Sequence, residues 1–318
     1  MEEEKLANAA RVLVREVISL KKGEKLLIIS DFEGKRIVEA ILREALKVGG
    51  KPYHFSFMPT RRDFLPPAIS GLIEDSDAII LVSSVSLSFS KEVWTALKEE
   101  KRVVSCPRTN EDMFCRALSV DPKKLSNETR KVASLLSEAS SLEIMSNGRK
   151  FKASISEREA IYVDGLANKP GKFTIIPGGI IGIAPIEGTP EGGLVINGSI
   201  SHMGPLTSEI KLKVEKGKIV EISGGEDAKK FEKLLESYGD ENMFKIAEIG
   251  VGVHPMMRIR GNATEDESAR GAVIIGIGEN VGHLKGNIKA PDHIDLAIWG
   301  ASLKVDNRWL VIHGALEV

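Results

Sequence analysis

No glutamine occurs anywhere in the 318 residues, cysteine is limited to Cys106 and Cys115, and aromatic side chains make up only 5% of the chain. Each scarcity excludes something. Two cysteines cannot staple a small secreted scaffold, so a reducing cytoplasm is the expected home. Missing glutamine together with abundant Glu and Lys forms a composition typical of hyperthermophile proteins. No apolar run approaches the roughly 20 residues that span a bilayer. The segment Met1-Glu2-Glu3-Glu4 is acidic and opens an amphipathic helix, unlike a secretory leader. A net charge of −1 gives neither nucleic acid nor an acidic membrane anything to hold. Four catalytic or phosphate-binding patterns are also missing: G-x-G-x-x-G, the Walker P-loop, G-x-S-x-G and H-E-x-x-H. Cys115 has no histidine nearby in sequence, which argues against a nucleophilic thiol.

What is present falls into two grammars. In the first half, helical spacing over 5–19, 34–48, 66–75 and 90–100 alternates with the short apolar runs Lys25–Ser30, Tyr53–Phe57, Ala78–Ser83 and Arg102–Ser105. That alternation predicts a doubly wound parallel α/β sheet with helices on both faces. A charged helix at 121–139 closes this half, and no cofactor is expected in it. From about residue 145, short strands are broken by glycine. A hairpin is expected through Asn147-Gly148, and another through Glu215-Lys216-Gly217. Further strands are expected at Phe173–Ile176, Leu194–Ile196 and Glu209–Val214, with a helix at 227–238. The expectation is an α/β domain over 1–140 and an α+β, β-rich domain over 141–318.

Chemistry concentrates in the second half, which holds five of the six histidines. In Pro291-Asp292-His293-Ile294-Asp295-Leu296, a strand would put His293 and Asp295 on one face and Ile294 and Leu296 on the other. Imidazole beside carboxylate is costly to bury without a partner. A divalent metal is one such partner; a polar cluster in which Asp295 orients His293 is the other. Glu248 sits in the glycine-rich run Ile246–Gly252, and alternation would align it with Gly250, Gly252 and His254. The acidic triplet Glu265-Asp266-Glu267 reads first as a solvated turn or helix start. His202 and His283 lie in loop contexts that read as unliganded more readily than liganded.

The order of these motifs resembles the aminopeptidase T family of metallopeptidases. The likeness runs from Lys22-Gly23-Glu24-Lys25 through Val195-Ile196-Asn197-Gly198 to Glu248, Glu265-Asp266-Glu267 and His293-Ile294-Asp295. The 2,5-dihydroxypyridine ring-opening dioxygenases are relatives in the same superfamily, with one iron held by two histidines and an aspartate. The resemblance implies metal ligands at Glu248, His293 and Asp295, with Glu267 as catalytic base or further ligand; His254 or His202 is the candidate for an extra imidazole. It also implies a homodimer acting on a peptide or other small molecule. Two peptidase ligand positions are replaced by Ile180 and Ile274. The expected cofactor is therefore one divalent ion per chain, Zn, Co, Mn or Fe, and not a bridged pair.

Three functions follow. The leading expectation is a divergent metal-dependent hydrolase of peptides or small amides. The alternatives are a mononuclear non-haem iron dioxygenase of the 2,5-dihydroxypyridine type, and a catalytically inert relative.

Overall fold

The computed structural model describes residues 2–282 and 284–318, so the reading of His283 falls outside the described residues. Two compact units are interleaved along the chain. The first comprises 1–126 and 163–178, the second 127–162 and 179–318.

In the first unit the apolar runs become the middle of a five-stranded parallel sheet. Its order is Lys51–Ser56, Lys25–Ser30, Ala78–Ser83, Arg102–Pro107, Phe173–Ile175. Leu26 to Ile29 and Ala78 to Val82 are buried, as continuous apolar strands are when helices cover both faces. The helices begin where short polar side chains cap them. Ser90 Oγ accepts the Val93 amide before Lys91–Lys98, and Asn110 Oδ1 accepts the Met113 amide before Glu111–Ala117. The expected helix over 66–75 is instead a 3₁₀ turn, Pro67–Ile69, and one short helix, Ser70–Glu74. The Pro66-Pro67 pair holds the chain extended until residue 67. The expected strand at 173–176 forms, but it pairs in parallel with Arg102–Pro107 and not with the β-rich half. Its short β-branched run carried no mark of which sheet would take it.

The second unit holds two sheets. An eight-stranded sheet contains both expected hairpins. Asn147-Gly148 and Lys216-Gly217 take positive φ at both turn positions, the geometry whose twist matches flanking antiparallel strands. The seven-stranded sheet carries four neighbouring strands that matter for chemistry: Ile180–Ile183, Ile246–Gly252, Val273–Gly278 and His293–Ile298. Every residue of Ile246–Gly252 and Val273–Gly278 is buried. The chain is thus a parallel α/β layer with a β-rich α+β unit, the class its patterning predicts. No helix among the described residues is long and apolar enough to cross a membrane.

Gly252 joins the sheet to the acidic triplet. A Cβ there would lie 2.2 Å from the Ala269 carbonyl oxygen and 2.6 Å from that of Glu267. The amide of Gly252 donates to Ala272, and its carbonyl accepts from Gly271, so neither backbone can retreat freely. Gly252→Ala should therefore destabilise the fold by about 2–4 kcal/mol, in the range of severe overpacking. Urea denaturation would show this as a lowered midpoint at unchanged slope.

Candidate metal centre

Register places the site. Across three adjacent antiparallel strands, Glu248 is opposite Gly276 and Gly276 is opposite Asp295. Directly opposed residues share a face. Glu248 and Asp295 therefore lean toward each other over a residue with no side chain. His293 joins them from two positions along the Asp295 strand, opposite Gly278. A Cβ on Gly276 would sit 2.7 Å from the His293 Nε2 and 2.7 Å from the Glu248 Cβ. On the other side of Glu248, a Cβ on Gly182 would lie 1.8 Å from its Oε1. The cradle exists because both neighbours are glycine.

Within it, one ligand atom each from Glu248, His293 and Asp295 gathers within 4.8 Å of the others. His293 Nε2 is 3.2 Å from Glu248 Oε2 and 3.1 Å from Asp295 Oδ1. The other ring nitrogen, Nδ1, is 2.6 Å from the Glu279 carbonyl oxygen. A carbonyl only accepts, so Nδ1 carries a proton and Nε2 is the atom turned to the carboxylates. Burial alone would lower the His293 pKa, but Asp295 and Glu248 outweigh it and hold the imidazole well above its usual range.

Glu267 reaches the same place from the short helix Ala263–Ser268 and hydrogen-bonds Asp295. Burial, then the charges of Asp295 and Glu248, push its carboxyl well above the ordinary range. The triplet is no solvated turn. Asp266 accepts the Arg260 and Gly261 amides at 2.6 and 2.8 Å and the Ser199 hydroxyl, while Glu265 accepts the Arg258 amide. Two of the three acids tie the preceding loop down, which aims the third inward.

His254 is not among the gathered ligand atoms. It is wholly buried, its Nδ1 accepts the Met256 amide at 3.2 Å, and its backbone bonds Ser268 and Arg270. The strand expected to carry its side chain alongside Glu248 ends at Gly252. His202 pairs elsewhere. At φ 71° in a tight turn, it places Nε2 3.2 Å from Asp292 Oδ2. Asp292 also accepts from the Tyr238 hydroxyl and the His293 amide. Against the effect of burial, the His202 and Tyr238 bonds hold its carboxyl well below the usual range. Sequence reasoning missed three contributors: the Glu279 carbonyl, the Asp292 anchor and the Gly182 vacancy. Asp292 alone left a signal, since it immediately precedes His293.

The donor set fits one divalent first-row ion. Two carboxylates balance its charge, and a tautomer-fixed imidazole supplies the nitrogen. Ile274, on the same face as Gly276, and Ile180, on the same face as Gly182, offer no ligand for a second. The upward shifts of His293 and Glu267 favour the protonated form of both. A cation must displace the Nε2 proton, so affinity should rise as pH rises. Calorimetry in buffers of different ionisation heat should detect proton release on metal binding. Affinity that stays flat over roughly pH 6 to 8 would contradict this protonation scheme.

A family model described as NicX, 2,5-dihydroxypyridine 5,6-dioxygenase, matches residues 13–318. The 2,5-dihydroxypyridine 5,6-dioxygenase of Pseudomonas putida is 27% identical over 252 residues, 74% of this chain and 70% of that protein. Among solved structures, 2,5-dihydroxypyridine dioxygenase from Pseudomonas putida KT2440 superposes with a TM-score of 0.82 at 21% identity, over 99% of this chain and 98% of that one. Wild-type AmpT from Thermus thermophilus superposes at 0.71 and 14% identity, over the full length of both. The two structures share this fold, and the family model matches the dioxygenase branch of the expected likeness. The aminopeptidase and hydrolase reading does not stand. The family match overturns it, and the isoleucines at 180 and 274 put no further ligand on that face.

Proposed function

The chain belongs to the 2,5-dihydroxypyridine 5,6-dioxygenase family, and from that premise we propose that it is a single-metal ring-opening dioxygenase. Its substrate would be 2,5-dihydroxypyridine or a closely related hydroxylated nitrogen heteroaromatic. Ferrous iron would be held by Glu248, His293 and Asp295. The observation that carries the reading is the convergence of these three ligand atoms, with the imidazole tautomer set by the Glu279 carbonyl.

When bound, the ion supplies the one-electron chemistry that lets a closed-shell aromatic ring react with dioxygen. The protein's own part is positional. Glu248 and Asp295 present oxygens from opposite strands, and His293 presents Nε2 between them. Glu267 holds a proton beside Asp295 and is the acid–base group of this proposal. As a protonated carboxyl it gives that proton to the opening ring. Ile180 and Ile274 give the same face an apolar wall suited to a flat ring. Water is kept away by the buried strands on either side.

Anaerobic ferrous titration followed by an oxygen electrode tests the proposal. One iron per chain is expected, with one dioxygen consumed per 2,5-dihydroxypyridine lost. His293→Ala should weaken iron binding by more than the 10–100-fold typical of losing an outer-shell partner. Glu267→Gln should keep iron and lower kcat by about 10²–10⁴-fold. Iron uptake with no oxygen consumption on any hydroxylated pyridine would remove the dioxygenase reading.

A further inference from the structure

The gathered ligand set is unusual for an iron oxygenase in one respect. Such enzymes commonly hold ferrous iron with two imidazoles and one carboxylate. Here one imidazole, His293, meets two carboxylates, Glu248 and Asp295. A third carboxyl, Glu267, is hydrogen-bonded to Asp295. Among the described residues, no second imidazole nitrogen joins the gathered ligand atoms. His254 is committed to the Met256 amide and His202 to Asp292. The inversion is built in. Glu248 is buried, its side chain fills the vacancies left by Gly182 and Gly276, and its Oε2 faces His293 Nε2.

Donor type has a direct consequence for metal choice. Affinity for divalent first-row ions rises from Mn²⁺ to Fe²⁺ at almost any site, and imidazole nitrogen favours the later ion. Carboxylate oxygen suits Mn²⁺, because a hard anionic donor binds mainly by charge. Replacing an imidazole by a carboxylate therefore narrows the gap between the two ions. The charge also changes. A set with two or three carboxyl groups neutralises a divalent ion fully, whereas a two-imidazole set leaves it a net positive charge.

From this donor set we infer that the centre discriminates weakly between ferrous and manganous ions, and that Glu248 is the residue that makes it so. The inference rests on the metal-site reading above but not on the reaction assigned to it. Glu248 is then a metal-specificity determinant, and the protein would hold manganese whenever manganese is the more abundant ion.

Competition at equilibrium decides the point without any turnover. Metal-free protein is dialysed anaerobically against equal concentrations of Fe²⁺ and Mn²⁺. Bound metal is counted by elemental analysis, and bound Mn²⁺ is confirmed by its electron paramagnetic resonance. The expected result is dissociation constants within about tenfold of each other, with Glu248→His widening the preference for iron by at least about tenfold. The vacancies at Gly182 and Gly276 leave space for that imidazole. Exclusion of Mn²⁺ by more than about a hundredfold in the unmodified protein overturns the inference, whether or not the variant folds. So does a Glu248→His protein that binds one metal with an unchanged ratio. Even binding of both ions with no oxygen uptake would uphold the metal inference while removing the dioxygenase proposal. Oxygen uptake with strict iron selection would do the reverse.

Discussion

Two carboxylates and an imidazole converge over Gly276, the middle residue of a three-strand row, and the second unit is built around that missing side chain. The central strands are buried along their whole length, so Glu248 has little water to solvate its charge. An ionised carboxylate in that position needs a counter-charge. Asp295 and Glu267 make matters worse, which is why Glu267 is driven to keep its proton and His293 to gain one. The metal-free arrangement is a compromise in which protons stand in for a cation. Any side chain at position 276 would push Glu248 and His293 apart and end that compromise.

The surrounding structure fixes each donor from outside the cradle. Glu279 holds the far nitrogen of His293 through its backbone, so no substitution of its side chain alters that bond directly. Asp292 takes the His293 amide while it is itself held by Tyr238 and His202. On the other flank, Asp266 and Glu265 bind the 258–261 backbone and Gly252 lets residues 267–269 press against the sheet. A loop acid is thereby given the positional precision usually expected of a strand residue. The acidic triplet shows how one charge run can divide into structural and chemical members.

Much of this was legible in the residues. Apolar runs spaced by helical patterns implied the parallel layer, and the turn pairs Asn147-Gly148 and Lys216-Gly217 implied the hairpins. Period-two alternation put His293 and Asp295 together and marked Glu248 as a carboxylate in need of a partner. What stayed hidden was long-range. Alternation cannot say which strand lies beside which, so the Glu248–Gly276–Asp295 row and the Gly182 vacancy had no local signature. For the same reason His254 looked aligned with Glu248, although the strand ends before reaching it. Phe173–Ile175 was readable as a strand but not as a member of the parallel sheet. The nature of Asp266 was obscured because acidic triplets in loops are usually solvated.

The same scaffold serves AmpT and the Pseudomonas dioxygenase, as the superpositions show at the level of fold. Fold therefore does not select the chemistry here; a few face-sharing side chains do. A bridged metal pair needs ligands on both sides of the row. This chain places Ile274 one step from Gly276 and Ile180 one step from Gly182 on that face. Those two side chains do more than withhold ligands. They make the second half of the face apolar. On the proposed reading, a flat heteroaromatic has a dry wall to lie against. On that reading, one metal ion would offset the cost of crowding three carboxyl groups, and the apolar face beside it would take the substrate ring.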